Sequence, residues 1–240
     1  MAHSDWGGDQ AYLEANCPEF TTSASQLGCG DFVTIGPAGA TELTDQLNFP
    51  APGIYGNTRR GSALSWIQRT PSNTGTAWVS TGAGRVFVSD NVNAAEGAVV
   101  WHRVDPVTND PGRFIDSIAI DPANPHHTWI SYSGYNVNTP ATPGHVFEVT
   151  WTGSGAATWV DRSFNLPDFP VTGLVRDDVT GDLYASSDFG VMKLPFGTTS
   201  WVVAGSGLPN VEVAGLTLVS KERVLYAATH GRSAWSLTLP

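Results

Sequence analysis

The feature that most constrains this chain is a recurring strand–corner–strand unit, clearest from Asp182 to Trp201 (DLYASSDFGVMKLPFGTTSW). Leu183 to Ser186 reads as a short strand, Ser187-Asp188-Phe189-Gly190 as a tight polar corner, and Val191 to Leu194 as a second strand. A Gly/Thr/Ser turn from Gly197 to Ser200 follows, and Trp201 opens a third strand.

The plan recurs with an aromatic at each of two anchor points. The aromatic of the second strand is Trp78, Trp129, Tyr184 and Tyr226, spaced 51, 55 and 42 residues apart. The aromatic opening the fourth strand is Phe32, Trp101, Trp159 and Trp201, spaced 69, 58 and 42. Unequal spacing is what insertions in surface loops produce, and the stretch from Gly134 to Gly144, rich in Asn, Thr, Pro and Gly, is the longest such loop. Periods of about 40 to 50 residues with four strands each are the pattern of β-propeller blades. Such a sheet cannot bury both faces alone and must stack on its neighbours.

Helical periodicity is almost absent, because the 26 Gly and 16 Pro interrupt every window long enough for a three-turn helix. The spacing therefore predicts an all-β fold of four-stranded antiparallel blades, about five in this chain, or a part of a larger propeller. No composition shift marks a boundary, so residues 1–240 read as one domain. Repeats fill 61–240, and the irregular 1–60 helps close the ring. The last repeat, Val213 to Leu239, has three strands and no fourth. Closure by strands from both termini would remove the exposed edges.

The formal charge of −10, with Lys193 and Lys221 the only lysines, argues against nucleic acid or an anionic membrane surface as partner. No apolar run is long enough to insert as a membrane-spanning helix. Met1-Ala2-His3-Ser4-Asp5 lacks the basic start and apolar stretch of a signal peptide. Cys17 and Cys29 enclose a polar loop and suit a disulfide, with two free thiols as the alternative. Together with scarce Lys and abundant Thr, Ser and Gly, that pairing favours a secreted or periplasmic protein.

Several stretches resemble a known family. Ser89-Asp90-Asn91 with Trp101 after a loop, and Gly197-Thr198-Thr199-Ser200-Trp201, look like partial Asp-boxes (S-x-D-x-G-x-T-W). The stretch from Tyr226 to Trp235 (YAATHGRSAW) and Gly207-Leu208-Pro209-Asn210-Val211 resemble that family's closing and linking segments. Over residues 60–240 the chain is similar to the Asp-box (BNR) repeat propellers, a group that includes sialidases and xyloglucanase-type glycosidases. No box is complete, and the box is a structural turn in that family, away from the active site.

The resemblance implies a ligand site at one channel mouth, built from the corners between second and third strands and the links between blades. Asp188, Glu212 and Asp110 are then the candidate catalytic carboxylates, and Arg60, Arg113, Tyr135, Asp168, His230 and Arg232 the candidate ligand-binding residues. Ser89, Asp90 and Gly197 fall at the other end. Carboxylates beside aromatics suit a sugar. Local structure offers another role for some of these: Asp188 fixing a turn, His230 packing in one, Arg60 solvated beside Arg59. Asp177-Asp178 and His126-His127 read as exposed turn residues. No metal site and no cofactor are implied, and neither G-x-S-x-G nor H-E-x-x-H occurs. The sialidase arginine triad and Tyr/Glu pair cannot be assigned. The expected activity is therefore non-catalytic binding of a carbohydrate or protein ligand, with hydrolysis of an extracellular polysaccharide as the alternative.

Overall fold

The computed structural model describes residues 33–36, 39–42, 64–70, 72–95, 98–106 and 110–240. Cys17, Cys29 and Arg60 lie outside the described residues, and with them the expected disulfide and one candidate ligand contact.

Seventeen strands are described, and two single 3-10 turns at Asn136–Asn138 and Ser220–Glu222 are the only helical elements among the described residues. β1 (Val33–Gly36) and β2 (Gly39–Glu42) form a hairpin. The first sheet is β3 (Leu64–Thr70), β4 (Asn73–Thr81), β5 (Val86–Ser89) and β6 (His102–Arg103). The second is β7 (Ile115–Asp121), β8 (Asn124–Tyr132), β9 (Val146–Thr150) and β10 (Thr158–Asp161). The third is β11 (Val171–Arg176), β12 (Leu183–Ser187), β13 (Gly190–Leu194) and β14 (Val202–Val203). The last is β15 (Val213–Val219), β16 (Val224–Thr229) and β17 (Ala234–Thr238), with no fourth strand among the described residues.

Every sheet is an antiparallel meander in chain order. The first strands β3, β7, β11 and β15 stand side by side in that order, so the sheets radiate from a common axis as propeller blades. Four blades are present among the described residues, where about five were expected. No extended contact joins β15 back to β3 among those residues.

The core lies between blades. Trp78, Val86 and Val88 pack on Ile115, Ile118 and Ile130. Trp129 and Val146 pack on Val171, Leu174 and Leu183. Tyr184 and Val191 pack on Val213, Leu225 and Leu239. Full burial of side chains this large contributes roughly 1.5 to 3 kcal/mol each. The second-strand aromatics thus hold one position, at 0%, 7% and 1% exposure for Trp78, Trp129 and Tyr184. Tyr226, the fourth of the series, is 41% exposed, and among the described residues no further sheet covers its face.

Two local expectations are corrected. β8 starts at Asn124, so His126 and His127 stand on the sheet and are not exposed turn residues. His127 bridges Asp121 (3.0 Å) and Glu148 (2.7 Å). Asp177 is 1% exposed, because Arg223 of the last blade reaches across to bind both its oxygens.

Candidate functional site

The corners between second and third strands meet the links between blades, and glycine makes the closest approach possible. Gly84 has φ +83°, and a Cβ there would stand 2.9 Å from Gly112 Cα, so the first blade's corner abuts the link into the second. In that link Asp110 accepts the Gly112 N–H (2.9 Å). The fully buried Tyr132 places its hydroxyl 3.2 Å from Asp110 and 3.3 Å from the Gly84 carbonyl.

Arg113, 7% exposed, donates to the carbonyls of Gly134 (3.0 Å) and Gly144 and to the Asn136 side chain (3.3 Å). It thereby clamps the long corner of the second blade. Asp168 accepts the Asn136 N–H (2.7 Å) and sits 3.0 Å from Nε2 of the buried His145. The Tyr135 hydroxyl donates to Asp188 across the second and third blades (3.1 Å). Next to Asp188, the half-exposed Phe189 packs on Phe169 with ring centroids 4.4 Å apart and planes tilted by 40°.

The structure therefore brings Asp110, Arg113, Tyr135, Asp168 and Asp188 together along the second and third blades. Glu212 and His230 form a separate group at the last blade's corner, 3.4 Å apart. His230 also donates its N–H to the Glu212 carbonyl (2.9 Å), and its ring is exposed. The Arg232 carbonyl accepts the Trp235 indole N–H (2.9 Å) while its side chain is exposed. Asp90 lies at the opposite end of the first blade, accepting the Thr76 hydroxyl (2.9 Å) and pairing with His126 (2.8 Å).

Burial dominates the electrostatics. It raises the Asp110 carboxyl to about 6, with the nearby Asp105 charge adding and the Gly112 N–H and Tyr132 hydroxyl opposing. It pushes the Tyr132 phenol well up. It lowers His145, an effect the Arg113 charge reinforces and Asp168 opposes, so the ring is neutral near pH 7. Among the described residues, Arg113 Nε and His145 Nδ1 are buried with no hydrogen-bond partner.

Sequence reasoning missed Asp116. Each first strand carries a bulge at its second residue, which is Ser65, Asp116, Thr172 or Ala214. Bulges re-aim side chains and recur beside functional sites. Asp116 is the one acid in that series, and burial raises its pKa against a Ser133 hydrogen bond. Aligning the four first strands would have found it. Phe169 and Phe189 were also passed over, since their ring contact joins a link and a corner 20 residues apart.

Chemically, Asp110, Asp168 and Asp188 each already accept an internal hydrogen bond, and no group of three or more potential metal ligands occurs among the described residues. The group offers fixed polar atoms, a buried guanidinium and exposed aromatic faces.

No family model matches the chain, and no curated protein matches it. Solved structures do. A chain of the nidogen/laminin complex aligns with a TM-score of 0.57 at 12% identity over 87% of this chain and 71% of its own length. The extracellular domain of a putative one component system from B. thetaiotaomicron aligns with a TM-score of 0.54 at 18% identity over 83% of this chain. The Niastella koreensis GH74 enzyme aligns with a TM-score of 0.53 at 18% identity over 73%. This chain spans 23% and 28% of the last two. At these identities the likeness shows the β-propeller fold. Among the described residues, no helix is long and apolar enough to cross a membrane.

Proposed function

We propose that this chain is an Asp-box-type propeller of a secreted or periplasmic protein that binds a glycan, without hydrolysing it, where the second- and third-blade corners meet. The observation that carries this reading is the tilted Phe169–Phe189 ring pair beside the Tyr135–Asp188 hydrogen bond. Exposed aromatic faces stack on the apolar faces of sugar rings, and adjacent fixed oxygens accept hydrogen bonds from sugar hydroxyls. Binding is favoured over turnover because Asp168 and Asp188 are engaged in holding loops. The extracellular character of one similar structure and the glycosidase class of another are in keeping with the reading.

One observation favours hydrolysis as the second reading. Asp110, raised to about 6, has the protonation behaviour of a general acid near neutrality. A glycan array run with a polysaccharide hydrolysis screen tests both. Binding without product release supports the first reading, product release that Asp110→Asn abolishes supports the second, and binding of a protein but no glycan overturns both.

A further inference from the structure

We propose that the ligand at the second- and third-blade corners carries amines: it is a glycan of free glucosamine residues, whose ammonium groups pair with Asp168 and Asp188 while a sugar face lies on Phe189. This rests on the glycan reading above and adds to it the sign of charge that the site selects.

The sequence builds the same dipeptide twice at this place. Asp168-Phe169 lies in the link into the third blade, and Asp188-Phe189 in that blade's own corner. Each ring is presented by a tight turn. The Phe169 N–H donates to the Pro167 carbonyl (2.7 Å), and the Phe189 N–H to the Ser187 hydroxyl (3.2 Å). The rings meet with centroids 4.4 Å apart, and Phe189 stays 52% exposed.

Consecutive residues of the second blade's corner fix the two carboxylates. Tyr135 donates its hydroxyl to Asp188 (3.1 Å), and Asn136 its N–H to Asp168 (2.7 Å). The Asp188 hydrogen bond raises the Tyr135 phenol, and desolvation and the charges of Asp188 and Asp168 add to it. Both carboxylates therefore lie within electrostatic reach of one hydroxyl. Each is held through a single oxygen: Asn136 and His145 both meet Asp168 Oδ1, and Tyr135 meets Asp188 Oδ2. Among the described residues the second oxygen of each makes no hydrogen bond, and the Asp168 side chain is 44% exposed. An ammonium placed there gains charge-assisted hydrogen bonds, and the aromatic face beside it adds cation–π attraction.

Positive charge in the same group is turned inward. Arg113 is 7% exposed, and its guanidinium holds the Gly134 and Gly144 carbonyls and the Asn136 side chain. Swinging it toward a ligand would release the corner that it clamps. The His145 ring is buried, and burial lowers its pKa, so it stays neutral near pH 7. A sugar carboxylate would meet two like charges here and no outward-facing cation of this group, whereas a sugar amine meets two opposite charges. The formal charge of −10 draws ligands of the same sign as that amine.

Calorimetry on the full chain with equal-length oligomers of glucosamine, N-acetylglucosamine and galacturonic acid tests the selection. At low salt the glucosamine oligomer should bind at least about tenfold more tightly than its acetylated counterpart, and the galacturonic acid oligomer most weakly. Added salt should narrow the gap. Asp168→Asn combined with Asp188→Asn should bring the two hexosamine oligomers to within about threefold of each other. Should that variant fail to fold, the wild-type ranking and its salt dependence decide alone. Binding of the acetylated or galacturonic acid oligomer as tight as that of glucosamine overturns the inference and leaves the glycan reading standing. A glucosamine preference that survives the double substitution overturns it too. If none of the oligomers binds, the inference falls and the glycan array judges the broader reading separately. Binding of a lysine-rich peptide with no glycan bound overturns both.

Discussion

Arg223, directly after the 3-10 turn Ser220–Glu222 that follows β15, grips Asp177 in the loop between β11 and β12, with Nη2 2.7 Å from Oδ2 and Nη1 on the other oxygen. The Asp177 carboxylate is 1% exposed, and the same guanidinium donates to the Pro240 carbonyl (2.6 Å). One side chain therefore ties the third blade to the last blade and to the end of the chain. The Arg223 hydrogen bonds hold the Asp177 carboxyl down at about 2, with the Val179 N–H and Thr180 hydroxyl helping against burial.

That depression makes the tie acid-sensitive. Asp177 contributes stability above its ordinary carboxyl value, and the contribution is lost as pH falls from about 4 through about 2. With part of the pair open to water, about 1 to 2 kcal/mol is at stake. Thermal melts of wild type and Arg223→Ala should differ most at pH 6 to 7 and converge below about pH 2.

The opposite sign holds at His127. Hydrogen bonding to Glu148 raises its pKa, with Asp121 adding and burial opposing. Its contribution is full below the ordinary histidine value and is lost as pH rises through the raised one. The Tm deficit of His127→Gln should therefore be larger at pH 5.5 than at pH 9.

Asp110 carries a strain that pH reveals. Burial raises its pKa from 3.8 to about 6, so the folded state is disfavoured progressively as pH rises between those values. Asp110→Asn should raise stability by about 1 to 2 kcal/mol at pH 7.5 and change it little at pH 4. A denaturant titration at the two pH values measures the difference.

The interblade aromatics should rank by burial. Trp201, 2% exposed, donates its indole to Arg162 and is bracketed by Asn165, so Trp201→Ala should cost about 3 to 5 kcal/mol. Tyr226→Ala, at the uncovered face, should cost about 1 kcal/mol, and Tyr184→Ala several times that. Equal losses for the two tyrosines would mean that the Tyr226 face is covered in solution.

At the candidate site, Phe189→Ala and Asp188→Asn should each weaken glycan binding at least about tenfold in calorimetry, with Tm within about 2 °C of wild type. Their side chains are partly exposed and close no core, so unfolding would point to a turn-fixing role instead.

The blades were legible because their signals are local. The strands read as Leu183 to Ser186 and Val191 to Leu194 lie within one residue of β12 (Leu183–Ser187) and β13 (Gly190–Leu194), since the turn residues between and around them mark their ends. The shared place of Trp78, Trp129 and Tyr184 was readable too, because blades of one plan put the same strand position at the same interface. Tyr226 holds the same strand position but is 41% exposed, because burial there depends on a neighbouring sheet, which no feature around Tyr226 encodes.

The sequence by itself determined the all-β class and the order of strands within each blade, with a corner between second and third strands, because alternation and turn chemistry act over a few residues. Only the tertiary structure decided what those corners do. It put Tyr132 on Asp110, Asp168 on His145 and Tyr135 on Asp188, pairs 22, 23 and 53 residues apart, and it buried Asp177 under Arg223, 46 residues on. Such contacts depend on how far each blade rotates against the next, and that rotation is set by the packing of large side chains between sheets.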